Sequence, residues 1–160
     1  MGLDMWLTGY PRKEKPSYEN CAELAYWRKA NAIHKWFVDR VQGGIDDCKR
    51  HREVTREDLE DLADVCEQVL KNVVLVAAKV TNGYRLNDIG GRELIIEDGQ
   101  IVLNQELCKW LLPTQDGFFF GETEYDHWYI EDVRYTYETV NQILDSWDFK
   151  NGVIYYQSSW

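Results

Sequence analysis

The apolar positions change period several times along the chain, and each change marks an element. Met1–Tyr10 alternates, with Leu3, Met5 and Leu7 on one face, which predicts a strand. Pro11–Pro16 reads as a solvated connection, and Ser17 or Asn20 is placed to cap a helix running to Gln42, where Gly43-Gly44 ends it. Within that helix Tyr26, Ala30, Ile33, Phe37 and Val41 repeat at helical spacing. A second, mixed stripe holds Leu24, Trp27, Asn31, His34 and Val38. After a charged loop at Ile45–Glu53, Thr55 with Asp58 three residues on forms a variant capping box before the apolar face Leu59, Leu62, Cys66, Val69 and Leu70. Val73–Val80 is apolar and β-branched and fits either a helix extension or a strand.

Asn82-Gly83 and Gly90-Gly91 are turn signals, and Glu93–Ile96 and Gln100–Leu103 flank Asp98-Gly99 as a type I′ hairpin would. Asn104 heads a short helix to Leu112, and Pro113 stops it. A polar Thr114–Gly117 turn follows, and Phe118–Phe120 reads as a short buried strand. Asp126 or its neighbours start a last helix with Val133, Tyr137, Val140, Leu144 and Trp147 on its core face. Asn151-Gly152 then turns the chain into a closing strand, Val153–Trp160. The expected fold class is α+β, with three main helices on a small, mainly antiparallel sheet. Residues 1–160 are expected to form one domain in which 73–103 is a strand or hairpin insertion, and the terminal strands pair with each other or with Phe118–Phe120.

Charge narrows the function classes. The net charge of −10 argues against duplex nucleic acid as a partner, since that needs a broad basic face. The distribution is uneven: residues 1–52 hold ten Lys/Arg against seven Asp/Glu (+3), and residues 53–160 hold eight against twenty-one (−13). A basic patch for a small anion therefore belongs in the N-terminal third. The four cysteines have neither CxxC nor zinc spacing; Cys66 and Cys108 fall on apolar helix faces, as reduced thiols in a cytoplasm do. No apolar run is long enough to span a bilayer.

The candidate chemistry lies in three places. Arg28, Asn31 and Lys35 share a helical face with Trp27 and His34 at its edge, a combination able to hold a phosphate and stack on a base. An ordinary solvated helix face has the same composition and is the commoner arrangement. Thr114 and Gln115 can present hydroxyl, amide and backbone N–H groups, or simply satisfy their own turn. Glu122, Glu124, Asp126 and His127, followed by Glu131 and Asp132, could serve acid–base or metal chemistry, although acidic residues at a helix start also favour the helix dipole. No ligand spacing, P-loop, GxGxxG, HExxH or nucleophile elbow is present, so no catalytic residue, metal or cofactor is assigned.

Four blocks, MGLDMWL, ELAYWRKANAIHKWFV, LLPTQDGFFFGETEYD and YYQSSW, resemble a family of small, uncharacterised proteins encoded by bacteriophages and prophages. The resemblance covers about half the chain and carries no catalytic assignment. It implies an accessory protein in the cytoplasm of an infected host cell. The leading expectation is a binding protein for a small anionic, nucleotide-like molecule, held by Trp27, Arg28, Asn31, Lys35, Thr114, Gln115 and Tyr125. In a phage setting such capture would sequester a host immune signal. Two alternatives stand beside it: an acidic inhibitor of a host protein, and an enzyme degrading a nucleotide signal through Glu124, Asp126 and His127. A homo-oligomer is compatible with each, because small ligand-binding proteins often build sites at symmetric interfaces.

Overall fold

A computed structural model describes residues 2–160; Met1, included in the expected first strand, lies outside them. The alternation at the N-terminus does form a strand, β1 (Asp4–Pro11), with Leu3, Met5 and Leu7 fully buried. It is the centre of a three-stranded antiparallel sheet, flanked by β2 (Ala22–Arg28) and β5 (Gly152–Ser159). The two ends of the chain thus pair along their length, Leu7 opposite Tyr156 and Met5 opposite Ser158. Gly9 is required here, because a Cβ would lie 2.3 Å from the Trp147 ring that closes this end of the sheet.

The expected long helix from residue 20 is two elements. Ala22–Arg28 pairs with β1, and only α1 (Asn31–Val41) is helical. The inward residues of β2, Ala25 and Trp27, are two apart, the spacing of one sheet face; on a helix they would stand about 200° apart, and only Trp27 fits the helical stripe with Asn31 and His34. The exposed backbone edge of β1 decides between strand and helix, since pairing satisfies a whole row of donors and acceptors.

The helix α2 (Arg56–Asn72) begins with the expected capping box: the Thr55 hydroxyl accepts from Asp58 N at 3.1 Å, and the Asp58 carboxylate accepts from Thr55 N at 2.9 Å. Arg52 adds a bidentate pair to the same carboxylate at 2.6 and 3.0 Å, and Arg40 a third contact at 3.2 Å. Of Val73–Val80, Val73 ends α2 and Leu75 onward is strand. That strand is β3 (Leu75–Leu86), which pairs with β4 (Arg92–Val102) in a long two-stranded sheet of its own. The hairpin turn lies at Asn87–Gly91, where Asn87 and Gly91 exchange backbone and side-chain bonds and Gly90 takes φ +78°. Asp98-Gly99, expected as the turn, is mid-strand instead. Asp98 pairs with Lys79, and Gly99 leaves room for the His127 ring, 2.6 Å from where a Cβ would stand.

Asn104 precedes α3 (Gln105–Leu111) but does not cap it; its amide bonds Val74 N and Asn72 O and ties the base of the hairpin to the end of α2. Phe118–Phe120 is a turn, not a strand. Phe120 N bonds Gly117 O, Phe119 is left-handed at φ 62°, Phe118 is 75% exposed and only Phe120 enters the core. Asp126 caps α4 (His127–Ser146), its carboxylate accepting from Tyr129 N at 3.1 Å. Val133 and Val140 face the core directly, with Tyr137, Leu144 and Trp147 packed at its margin. The fold is α+β with four helices and two antiparallel sheets, where three main helices and one sheet were expected. Among the described residues no helix is long and apolar enough to cross a membrane.

Candidate functional site

Where β2 hands over to α1, the chain turns through Lys29 at φ 59°, a left-handed conformation that costs a residue with a Cβ about 1 kcal/mol. Lys29 N donates to Leu3 O at 2.7 Å, which holds the turn against the start of β1. Two further left-handed residues, Phe119 and Gly121, converge on the same place. Gly121, at φ +92°, takes a conformation that favours glycine, and a Cβ there would crowd Lys29 Cβ at 3.1 Å. Such concentrations of backbone strain cluster at ligand sites.

Beside this turn opens a cleft of about 370 Å³. One wall is Arg28, Lys29 and the first turn of α1; the second is Glu122 and Glu124 with the start of α4; the third is the Thr81–Gly83 bulge of β3. The α1 wall is electropositive. Ala30 occupies the capping position, so no side chain caps the helix, and its first turn has no acidic residue. Arg28 makes one exposed pair with Asp4 at 3.2 Å, and Lys29 has no ion pair among the described residues. The α4 wall has the opposite character. Asp126, Glu131 and Asp132 stand together, and burial, reinforced by the charges of Asp126 and Glu131, pushes the Asp132 carboxyl up to about 7. Trp128, 44% exposed, adds an aromatic surface to the α4 wall.

Of the residues expected to bind a ligand, Arg28, Asn31 and Thr114 line this cleft. Asn31 acts through the backbone: its amide donates to Phe120 O and Glu122 O at 3.2 and 2.9 Å and accepts from Gln115 N at 3.1 Å. It therefore holds the 115–122 loop in place. The Thr114 hydroxyl bonds Thr123 O. Trp27 is buried, its indole N–H donating to the Thr136 hydroxyl at 2.9 Å, so its ring has no face for a ligand. Tyr125 is likewise buried, its hydroxyl accepting from Thr114 N. Lys35 pairs with Asp39 beside a different groove, formed with Trp36 and Trp110. Because β2 is a strand, the helical face that would have joined Arg28 to Lys35 does not exist.

Gln115 turns away from the cleft, its amide donating to Asp46 at 3.3 Å. Asp46 also bonds His34 Nε2 at 2.8 Å and the Trp160 indole at 3.0 Å, and His34 Nδ1 meets the Tyr156 hydroxyl at 2.6 Å. His34 is fully buried; this chain fastens α1, the 115 loop and the C-terminal strand together. The group Glu124, Asp126 and His127 is divided, since His127 packs over Gly99 of the hairpin and accepts from Gln100 N. Among the described residues no cluster of three or more His, Cys, Asp or Glu is arranged to hold a metal ion.

Lys29 and Trp128 are the residues that sequence reasoning passed over. Trp128 had a readable signal: it precedes the core position Val133 by five residues, about 140° around the helix, so it had to face away from the core. Lys29 had none, because its role depends on a turn that the helical reading removed. Neither a protein-family model, nor a curated protein, nor a solved structure matches the chain.

Proposed function

We propose that the cleft binds a small anionic, nucleotide-like molecule. The observation that carries this reading is the polarity of one cavity: an uncapped helix start with Arg28 and Lys29 on one side, and carboxyl groups on the other. A phosphate suits the first wall, which the start of α1, Arg28 and Lys29 line. A base suits the rest, with Trp128 as stacking surface and Asp132 or Glu131 accepting from ring or amino N–H groups. A purely anionic ligand would meet repulsion from the α4 wall, so the reading requires a molecule with a donor-rich end. In the phage setting that the resemblance implies, holding such a molecule would withdraw a host signal.

Calorimetric titration with a panel of mononucleotides and cyclic dinucleotides tests this. Lys29→Gly keeps the left-handed turn while removing the charge, and together with Trp128→Ala it is expected to weaken binding at least tenfold. Lys35→Ala, outside the cleft, should bind as the unaltered protein does. Absence of binding across the panel, or full affinity in both cleft variants, would overturn the proposal. The near-neutral Asp132 also favours a second reading, acid–base turnover of the bound molecule. Recovery of a chemically altered nucleotide, lost in Asp132→Asn, would select it.

A further inference from the structure

Trp128 and Asp132 are four residues apart on α4, the spacing that puts two side chains on one helix face, and both line the cleft. A flat ring stacked on the indole therefore brings an edge toward the Asp132 carboxyl. That carboxyl is partly buried, and it accepts no hydrogen bond and makes no ion pair among the described residues; only the Asp132 backbone carbonyl is engaged, by the Thr136 hydroxyl. The charges that act on it, those of Asp126 and Glu131, have its own sign. Asp126 is already committed to Tyr129 N. A desolvated carboxyl left without a partner inside a cleft marks a ligand contact.

We infer that the base held in the cleft is guanine, read by Asp132 through two adjacent N–H groups. The inference rests on the nucleotide reading above and goes further by choosing among bases. A carboxylate only accepts, and its two oxygens take two donors side by side. Guanine alone among the common bases offers such a pair, N1–H and N2–H, on its Watson–Crick edge. Adenine and cytosine set a ring-nitrogen acceptor beside their amino group, and uracil sets its single N3–H between two carbonyls. Each of these would press a lone pair against the carboxylate and leave one of its oxygens unpaired. Next to N1–H on the guanine edge lies the O6 acceptor. Asn82, on the β3 wall of the same cleft, carries an amide donor that makes no hydrogen bond among the described residues. The phosphate is left for Arg28, Lys29 and the start of α1 across the cleft.

Calorimetric titration at pH 8, above the value of about 7 at which Asp132 ionises, compares GMP with the inosine, adenosine, cytidine and uridine monophosphates. Cyclic di-GMP against cyclic di-AMP gives the same comparison in a larger ligand. Inosine monophosphate keeps N1–H and lacks only the 2-amino group, so it should bind roughly tenfold more weakly than GMP; the other three should bind roughly a hundredfold more weakly. Asp132→Asn turns one acceptor into a donor. The variant should lose affinity for GMP and favour xanthosine monophosphate, whose C2 carbonyl accepts where guanine's amino group donates. A preference gained in this way does not come from a damaged fold. Equal affinity for all bases, inosine monophosphate bound as tightly as GMP, or an unchanged GMP preference in Asp132→Asn would overturn the choice of guanine and leave the nucleotide reading standing. No binding by any mononucleotide or cyclic dinucleotide would overturn both.

Discussion

Replacing Asp132 by Asn should make the protein more stable, and by an amount that depends on pH. In the fold, burial and the neighbouring Asp126 and Glu131 raise this carboxyl from its ordinary 3.8 to about 7. The folded chain therefore holds a proton that the unfolded chain has released. Below pH 4 both states are protonated and Asp132 costs nothing; as pH climbs from 4 to 7, stability falls, and above 7 the loss is complete. A difference of this size corresponds to about 4 kcal/mol at full strength. Water reaching the cleft reduces it, so about 1–3 kcal/mol is expected for the carboxylate removed at pH 8. In a chain of this length that is about 3–10 °C in Tm. Parallel thermal melts of the two proteins at pH 4, 6 and 8 give the answer. The gain of Asp132→Asn should be near zero at pH 4 and greatest at pH 8. A constant difference, or a variant less stable at pH 8, would refute the electrostatic strain on the α4 wall. If binding of a donor-rich molecule relieves that strain, the same substitution should also weaken binding as it strengthens the fold.

Two further outcomes follow from the scaffold. Asp58 is the reverse case: burial would raise its carboxyl, but the bonds from Arg52, Thr55 and Arg40 outweigh burial and hold it well below the usual range. Its contribution is therefore present above about pH 4 and lost as pH falls through the lower folded value, so in denaturant titrations Asp58→Asn should cost about 3 kcal/mol at pH 7 and progressively less in acid. Gly9→Ala places a methyl within the Trp147 ring and should cost about 1–3 kcal/mol, with a blue- or red-shifted tryptophan emission marking the displaced indole; an unchanged melt would show that this end of the sheet is looser than described.

Much of the chain was legible without coordinates wherever a local pattern had a single solution. The Thr55–Asp58 cap needs only its own four residues, the Asp126 helix start likewise, and Leu3, Met5 and Leu7 have no alternative to an alternating strand. The β character of the C-terminus and its pairing with the N-terminal strand were also within reach, because two terminal β-rich segments in an α+β chain have few other partners. The candidate site was only partly legible. Arg28, Asn31 and Thr114 line one cleft, while Trp27 and Tyr125 are buried and Lys35 lies beside a different groove.

The physical reason is that some residues satisfy two periods. Trp27 fits a mixed stripe of a helix with Asn31 and His34 and equally, with Ala25, the inner face of a strand, and only the unpaired edge of β1, more than fifteen residues away in sequence, chooses. Asp98-Gly99 has the chemistry of a tight turn, yet Gly99 is there so that His127 can pass over the sheet. In both cases the composition of a short segment determined which conformations were affordable, and contact with a distant element selected one. The cleft is a product of that selection: Lys29 of the β2–α1 turn and Phe119 and Gly121 of one loop are left-handed where both segments meet the start of β1, and no single segment records the meeting.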